Sequence, residues 1–230
     1  MYNDIVDIYA ELFPINMDFI NLIEENIKPN SSILDISCGP GHYVNLLSED
    51  YQMMGIDPAQ KMIDEARKNY NGEFELFSFE EISYIMKSFD AAYCIGNSIS
   101  YLENSQLDIF FNELHHLINS SGYFILQVVN WDIYMNTNKF EFPIKLLQNG
   151  EKFIREYEKI DDHKVAFHTK LTDGQFTQEW RATMYPKTSE ILVEALVRNG
   201  FKINKIFGNF NKKPYIADES QAIVIVAQRR

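Results

Sequence analysis

Ile33-Leu-Asp-Ile-Ser-Cys-Gly-Pro-Gly-His-Tyr43 is the stretch of sequence that decides the fold. Its apolar start predicts a short buried strand over residues 31–36, which ends in a glycine-containing loop. Gly39 and Gly41 let the backbone approach a ligand closely at the carboxyl end of this strand, where open α/β sheets bind their ligands. Asp35 stands beside the loop, where its charge would oppose a pyrophosphate and favour a cofactor that carries an ammonium and a sulfonium.

Two further positions bear on the ligand of this loop. A dinucleotide-binding loop would carry a third Gly or Ala at position 44, where this sequence has Val44. Farther along, Gly55-Ile-Asp57-Pro58 places an acidic residue at the end of the next predicted strand. A carboxylate there can accept hydrogen bonds from both ribose hydroxyls of a nucleoside. The alternative is that Asp57 only caps the helix that begins at Pro58.

Strand-like and helix-like segments alternate through the first 130 residues. The predicted strands are residues 31–36, 51–56, 73–77, 89–95 and 122–129, and the predicted helices are residues 15–27, a segment from His42, and residues 59–69, 79–87 and 105–119. Gly122 is interpreted as the break between the last helix and its strand. Strands separated by helices of this length indicate parallel βαβ units, so this part of the chain predicts a doubly wound sheet.

The pattern changes in the second half of the chain. Antiparallel strands are predicted over residues 151–160, 163–172 and 175–184, followed by a helix over residues 188–199 and strands over residues 201–207 and 221–228. Because the main sheet resumes after them, residues 135–186 are interpreted as an antiparallel β insertion rather than a separate domain. We therefore expect one α/β domain over residues 1–230, with residues 1–30 as an N-terminal helical cap.

Composition and charge exclude several classes of function. The chain is 46% hydrophobic and has 33 acidic and 21 basic residues, a formal net charge of −12. This charge disfavours nucleic acid and anionic membrane surfaces as partners. Cys38 and Cys94 form no CxxC pair, which argues against a disulfide scaffold or a metal site. The start of the chain lacks the basic region of a signal peptide, and the longest apolar run is too short to span a bilayer. We expect a cytoplasmic protein.

Three motifs of the chain resemble those of a known family. Leu34-Asp-Ile-Ser-Cys-Gly-Pro-Gly41, Gly55-Ile-Asp57 and Phe89-Asp-Ala-Ala-Tyr-Cys-Ile-Gly-Asn-Ser98 resemble the motifs of class I S-adenosylmethionine (SAM)-dependent methyltransferases. More narrowly, Ile95-Gly-Asn-Ser98 followed by Tyr101-Leu102, with Val129-Asn-Trp-Asp-Ile-Tyr134, is similar to glycine/sarcosine N-methyltransferases. The resemblance implies a Rossmann-like sheet of seven strands in the order 3-2-1-4-5-7-6, with the last strand antiparallel.

The resemblance also implies SAM as the cofactor and a set of cofactor contacts. Asp35, Ser37, Gly39 and Gly41 would surround the methionyl part, Asp57 would bind the ribose, Pro58 and Ala59 would lie near the adenine, and Ile95 and Gly96 would approach from the fourth strand. Ser37 stands where the family usually has Gly or Ala. Phe77-Ser-Phe79 stands where the family often has an Asp for the adenine amino group, so adenine recognition is assigned to Ser78, Phe79 and backbone groups.

The methyl acceptor is expected over the same edge of the sheet, covered by the N-terminal helices and the insertion. Candidate acceptor-binding residues are Tyr9, Asn97, Asn130, Trp131, Tyr134, Arg155 and Arg181, with His168 as a further candidate. Asn130 and Trp131 have loop packing as their alternative, and either arginine has a solvated strand face as its alternative. Arg155 or Arg181 would clamp an acceptor carboxylate. No catalytic base and no metal ligand is assigned.

The reading that follows is a SAM-dependent methyltransferase that moves a methyl group to an N or O nucleophile of a small molecule by in-line displacement. We expect it to act as a monomer or a homodimer. One alternative is a SAM- or nucleoside-binding regulatory module without catalysis. A nicotinamide-dependent oxidoreductase on a similar sheet is a second alternative, which Val44 and Asp35 disfavour.

Overall fold

A computed structural model describes all of residues 1–230, which form two β-sheets with helices packed against the larger one. The strands are β1 Ser32–Ile36, β2 Gln52–Ile56, β3 Glu73–Glu75, β4 Phe89–Cys94, β5 Ile118–Val129, β6 Lys139–Glu141, β7 Lys145–Leu146, β8 Lys152–Lys159, β9 Val165–Thr172, β10 Thr177–Met184, β11 Phe201–Phe207 and β12 Ala222–Arg229. The α-helices are α1 Tyr9–Leu12, α2 Met17–Asn26, α3 His42–Leu47, α4 Gln60–Asn69, α5 Leu107–Leu117, α6 Trp131–Tyr134 and α7 Ser189–Arg198. Short 3-10 helices span Tyr2–Asp4, Val6–Ile8, Phe79–Tyr84, Ser98–Tyr101 and Asn104–Gln106.

The larger sheet has seven strands in the order β11-β12-β5-β4-β1-β2-β3. Counted along the chain within this sheet, the order is 3-2-1-4-5-7-6, which confirms the predicted Rossmann-like topology. Strand β12 runs antiparallel to both β5 and β11, whereas the pairs among β1 to β5 are parallel. No helix of the protein has the length and apolar character needed to cross a membrane.

The second sheet contains the strands predicted between residues 151 and 184. Strands β10, β9, β8 and β6 pair in that order, and β7 pairs with β8. All of these pairings are antiparallel. The sheet lies in sequence between β5 and α7, so the chain leaves the larger sheet and later returns to it.

Strand β1 supports two hydrophobic cores because its side chains alternate between the two faces of the larger sheet. Ile33 packs in the core that contains Phe19 of α2. Leu34 packs in the core that contains Phe111 of α5. Burial on both faces explains why the parallel strands read as almost continuous apolar runs. The loops at their carboxyl ends therefore extend from a firmly packed sheet.

Two predicted element boundaries are wrong. The helix predicted over residues 79–87 is the 3-10 helix Phe79–Tyr84, which begins with a capping box between Ser78 and Glu81. Gly122 does not separate a helix from a strand, because it lies inside β5. A Cβ at Gly122 would come within 2.6 Å of the Asp90 carbonyl oxygen. Glycine is thus required there by the close approach of β4.

Residues 1–13 form a strap across the edge of the larger sheet. The Asn3 Oδ1 atom accepts a hydrogen bond of 2.9 Å from the Lys61 backbone N–H at the start of α4. The Trp180 indole N–H of β10 donates to the Asp4 carboxylate at 2.9 Å. This N-terminal strap therefore connects the two sheets and covers the space between them.

Candidate active site

A cavity of about 660 Å³ opens at the carboxyl ends of β1, β2 and β4, beneath the N-terminal strap. Among the residues predicted from the sequence, it is lined by Tyr9, Asp35, Ser37, Gly39, Asp57, Pro58, Ala59, Ser78, Phe79, Ile95 and Gly96. Residues from five separate stretches of sequence thus meet at one edge of the sheet. This is the edge at which open α/β folds bind ligands.

The glycine loop after β1 adopts a backbone that favours glycine. Gly39 has a φ of +55° and Gly41 a φ of +81°. A Cβ at Gly39 would lie 3.1 Å from the Tyr9 ring, which also lines the cavity. Gly41 is absent from the cavity lining, and a Cβ there would lie 2.6 Å from the Phe74 ring. Gly41 therefore serves the close packing of the loop against β3 rather than forming part of the cavity wall.

Asp57 joins the glycine loop to the start of α4. Its carboxylate accepts hydrogen bonds from the Gly39 backbone N–H at 2.9 Å and from the Ala59 backbone N–H at 2.8 Å. The side chain is only 8% exposed, and burial raises its pKa although both hydrogen bonds oppose the shift. Each carboxylate oxygen retains a lone pair beyond the backbone bond, so the group can still accept donors from a ligand.

Asp35 is the second carboxylate of the cavity and is almost completely buried. The Tyr93 hydroxyl donates a 2.8 Å hydrogen bond to it. Burial raises the pKa of Asp35 to about 8, and the hydrogen bond from Tyr93 only partly offsets this effect. A cation bound nearby would favour the ionised form of the carboxylate.

The raised pKa of Asp35 predicts a specific pH dependence of stability. The folded protein keeps a proton that the unfolded chain releases near pH 4, so this group lowers the free energy of unfolding as the pH rises from about 4 to about 8. We expect Asp35→Asn to stabilise the ligand-free protein more at pH 8 than at pH 5, measured by urea unfolding. Asp64→Asn, at an exposed position of α4, is the control. An equal effect of Asp35→Asn at both pH values would contradict the assignment.

Tyrosines form the part of the cavity nearest the strap. The hydroxyl groups of Tyr2 and Tyr101 lie 3.1 Å apart, and both residues line the cavity. Burial raises the pKa of Tyr2, Tyr9 and Tyr101, which keeps all three hydroxyl groups protonated. The sequence predicts Tyr9 as a site residue but gives no signal for Tyr2. Tyr101 belongs to the segment that resembles glycine/sarcosine N-methyltransferases, but it was not predicted to line the site. Its position five residues after Gly96 was a signal that could have indicated this.

Other cavity-lining residues were also missed. Among them are Phe13 of the strap, His42 at the start of α3, Glu80 after β3 and Lys145 of β7. His42 directly follows the glycine loop, so its position was a usable signal. Burial lowers the pKa of the His42 imidazole, which favours the neutral ring. No local pattern marks Phe13 or Lys145, since tertiary packing alone brings them to the cavity.

Three predicted acceptor-binding residues after β5 have structural roles instead. Asn130 is fully buried, and its amide donates to the carbonyl oxygens of Ala217 and Ser220 at 2.7 and 2.8 Å. Trp131 is also fully buried, and its indole N–H donates to the Ser100 hydroxyl at 2.9 Å. Tyr134 packs in the same core. The sequence predicts these three side chains as acceptor-binding residues, but none of them lines the cavity.

Apart from Tyr9, the other predicted acceptor residues also lie outside the cavity wall. Arg181 is exposed on β10, and the His168 imidazole lies 3.0 Å from the Glu158 carboxylate. Asn97 is buried and donates to the Tyr157 hydroxyl at 3.2 Å. Arg181 lies on a solvated strand face, which was the alternative to its acceptor-binding role. The side-chain amide of Asn97 is used by a hydrogen bond within the protein.

Arg155 differs from these residues. It is half-buried on β8, and its guanidinium lies 4.8 Å from the centre of the Phe142 ring and 5.8 Å from that of Phe153. Its Nε atom is buried without a hydrogen-bond partner. Arg155 is close enough to Tyr2 to act on it electrostatically, and Tyr2 lines the cavity, although Arg155 itself does not.

The strand order, the glycine loop and the two carboxylates at the ends of β1 and β2 are the features expected of class I SAM-dependent methyltransferases. A family model described as a methyltransferase domain matches residues 33–122. The glycine/sarcosine N-methyltransferase of Aphanothece halophytica is 22% identical over 209 residues, which are 86% of this chain and 76% of that protein. Together with the site, these similarities support a class I SAM-dependent methyltransferase.

Solved structures share the fold over almost the full length. The CcbJ methyltransferase from Streptomyces caelestis superposes with a TM-score of 0.82 at 15% identity, covering 99% of this chain and 97% of that one. A SAM-dependent methyltransferase from Clostridium acetobutylicum superposes with a TM-score of 0.80 at 18% identity, covering 99% and 98%. Because the coverage is nearly complete, the second sheet belongs to the shared fold.

Proposed function

We propose that the protein transfers the methyl group of SAM to the nitrogen of a small-molecule amine that also carries an anionic group. The observation that carries this proposal is the distribution of charge around the cavity. Three carboxylates line the cavity on the side of the larger sheet, namely Asp35, Asp57 and Glu80. Tyrosine hydroxyls and Lys145 line it towards the second sheet, and Arg155 lies on β8 of that sheet. A cationic cofactor and an anionic acceptor are complementary to these two sides.

The residues on the side of the larger sheet fit SAM by their chemistry. Asp57 would accept the ribose hydroxyls, and Asp35 would compensate the positive charge of the methionyl part. Ala59 and Phe79 would provide apolar contacts for the adenine, with Ser78 as a hydroxyl donor or acceptor. When bound, SAM supplies an electrophilic methyl group on a cationic sulfur. The leaving sulfur needs no protonation, so the protein has mainly to align the reactants and exclude water.

The cavity tyrosines Tyr2, Tyr9 and Tyr101 suit a nitrogen nucleophile, and they supply no base for an oxygen nucleophile. An alcohol requires a base to remove its proton, and Tyr2, Tyr9 and Tyr101 stay protonated because burial raises each pKa. A neutral amine already has the lone pair that the displacement needs. Protonated hydroxyls can accept the amine N–H bonds and so direct that lone pair towards the methyl group.

Arg155 is the residue that we assign to the anionic group of the acceptor. A guanidinium forms paired hydrogen bonds with a carboxylate, and its Nε atom is buried without a partner here. The named activity of the relative from Aphanothece halophytica is consistent with an acceptor that carries a carboxylate. Arg155 itself does not line the cavity, so acceptor binding requires a local rearrangement that brings its guanidinium to the cavity.

The test is methyl transfer from labelled SAM to a panel of amines, with and without an acidic group. We expect Arg155→Met to raise KM for glycine at least about tenfold, since a hydrogen bond to a charged group contributes about 1.5–3 kcal/mol. The affinity for SAM should not change. Arg181→Met is the matched control because Arg181 is exposed on β10. Release of no methylated product from any amine would refute the proposed function.

A further inference from the structure

The second sheet contains two partly buried cations without a carboxylate partner, Lys145 and Arg155. Three other lysines of this sheet and its turns do have ion-pair partners. They are Lys139 with Glu141 and Glu156, Lys159 with Asp162, and Lys170 with Glu179. The remaining basic residues of this part of the chain are exposed, namely Lys152, Lys164 and Arg181. Burial without a counter-charge is therefore confined to these two positions of the second sheet.

Aromatic rings hold both cations beside the cavity. Lys145 Nζ lies 5.3 Å from the centre of the Phe13 ring. The rings of Phe13 and Phe153 are 6.3 Å apart, and the guanidinium of Arg155 lies 5.8 Å from the Phe153 ring. Phe153 thus stands between the two cations. Since Lys145 lines the cavity, this arrangement extends from the cavity wall into the second sheet.

The two charges are unfavourable for each other in the structure as it stands. Burial lowers the pKa of Arg155, and burial together with the charge of Arg155 lowers the pKa of Lys145. Each shift means that the cationic form is less favourable here than in water. Like charges in a partly desolvated site are a cost that a bound anion removes.

The donors of both side chains are only partly used. The ammonium group of Lys145 donates to the Leu12 carbonyl oxygen of the strap, which leaves two of its three donors. Arg155 Nε has no partner. One carboxylate would neutralise one cation and leave the other uncompensated. A group with two negative charges would compensate both cations, Lys145 and Arg155.

We propose that Lys145 and Arg155 together bind a doubly charged anionic part of the acceptor, so that the preferred substrates are amines that carry a phosphate or two carboxylates. This inference rests on the proposed function and makes its acceptor more specific. In this scheme Lys145 distinguishes two negative charges from one, whereas Arg155 binds either kind of acceptor.

The inference is tested by calorimetric titration of the full chain, with and without S-adenosylhomocysteine. The probes are O-phosphoethanolamine, aspartate and glycine, which present a phosphate, two carboxylates and one carboxylate. We expect the wild-type protein to bind at least one of the first two about tenfold more tightly than glycine. The comparison between O-phosphoethanolamine and aspartate distinguishes a phosphate from a dicarboxylate.

Variants separate the roles of the two cations. Lys145→Met should reduce the preference for the doubly charged probes over glycine by about tenfold, and Lys145→Gln provides a second variant should the first fail to fold. Lys152→Met, at an exposed position of β8, should leave the preference unchanged. Equal weakening of all three probes by the Lys145 variants would overturn the inference, as would a wild-type protein without a preference.

Failure of the inference and failure of the proposed function can be told apart. Probe binding is measured by heat, whereas methyl release from SAM is measured separately. A protein that methylates glycine and doubly charged amines with equal efficiency keeps the proposed function and loses the inference. A protein that discriminates the probes but releases no methyl group loses the proposed function.

Discussion

Replacement of Asp57 by alanine is expected to weaken SAM binding by at least about a hundredfold. Two ribose hydroxyls would lose a charged acceptor, and each such hydrogen bond contributes about 1.5–3 kcal/mol. The same substitution removes the carboxylate that holds the Gly39 and Ala59 backbone N–H groups. Calorimetric titration with SAM measures the loss directly.

Two controls accompany the Asp57 variant. Asp64→Ala removes an exposed carboxylate from α4, where it accepts a hydrogen bond from Gln60, and should leave SAM affinity unchanged. Asp57→Asn keeps an acceptor oxygen and should lie between the wild-type protein and Asp57→Ala. A folded Asp57→Ala variant with unaltered affinity would rule out the ribose assignment and leave Asp57 as a local cap.

Replacement of Trp131 by alanine should lower the free energy of unfolding by about 3–5 kcal/mol, the usual cost of truncating a large buried aromatic side chain. Trp131 is fully buried, packs 4.9 Å from the Tyr157 ring and donates to the Ser100 hydroxyl. Truncation leaves a cavity in the core and removes the hydrogen bond that the Ser100 hydroxyl accepts, although this hydroxyl still donates to Asn97 Oδ1. Urea unfolding followed by circular dichroism measures the loss.

Trp180 is the matched control for Trp131, because it is the chain's second tryptophan and is partly exposed. Trp180→Ala should cost much less stability. The milder Trp131→Phe variant should keep the wild-type KM for every acceptor. A raised KM in Trp131→Phe with unchanged stability would restore the acceptor-binding role that the sequence motif indicated.

The sequence predicts the parallel half of the fold well because its signals are local. Alternation of apolar strands and helices gives the βαβ units, and the glycine loop with Asp35 marks the first strand of the sheet. Asp57 and Pro58 mark the carboxyl end of β2 in the same way. These residues line one cavity because parallel strands present their carboxyl ends at one edge.

The acceptor end is not predictable in this way because its contacts are formed over long distances in sequence. Asn130 is a polar residue just after a strand, which is typical of a binding site. Its amide, however, is used by carbonyl groups of Ala217 and Ser220, 87 and 90 residues farther along the chain. Tyr2 and Lys145 reach the cavity through the packing of the strap against the second sheet, which no local pattern records.

Strand β12 has a consequence for the order in which the protein forms. It pairs with β5 on one side and β11 on the other, and its partners in β5 lie about one hundred residues earlier in the chain. Until β12 is synthesised, β5 presents an unpaired apolar edge while the whole second sheet is already available. Contacts between residues so far apart in sequence form slowly. An unpaired strand edge can meanwhile pair with a strand of another chain. The period between synthesis of β5 and insertion of β12 is therefore the stage at which a nascent chain is most exposed to aggregation.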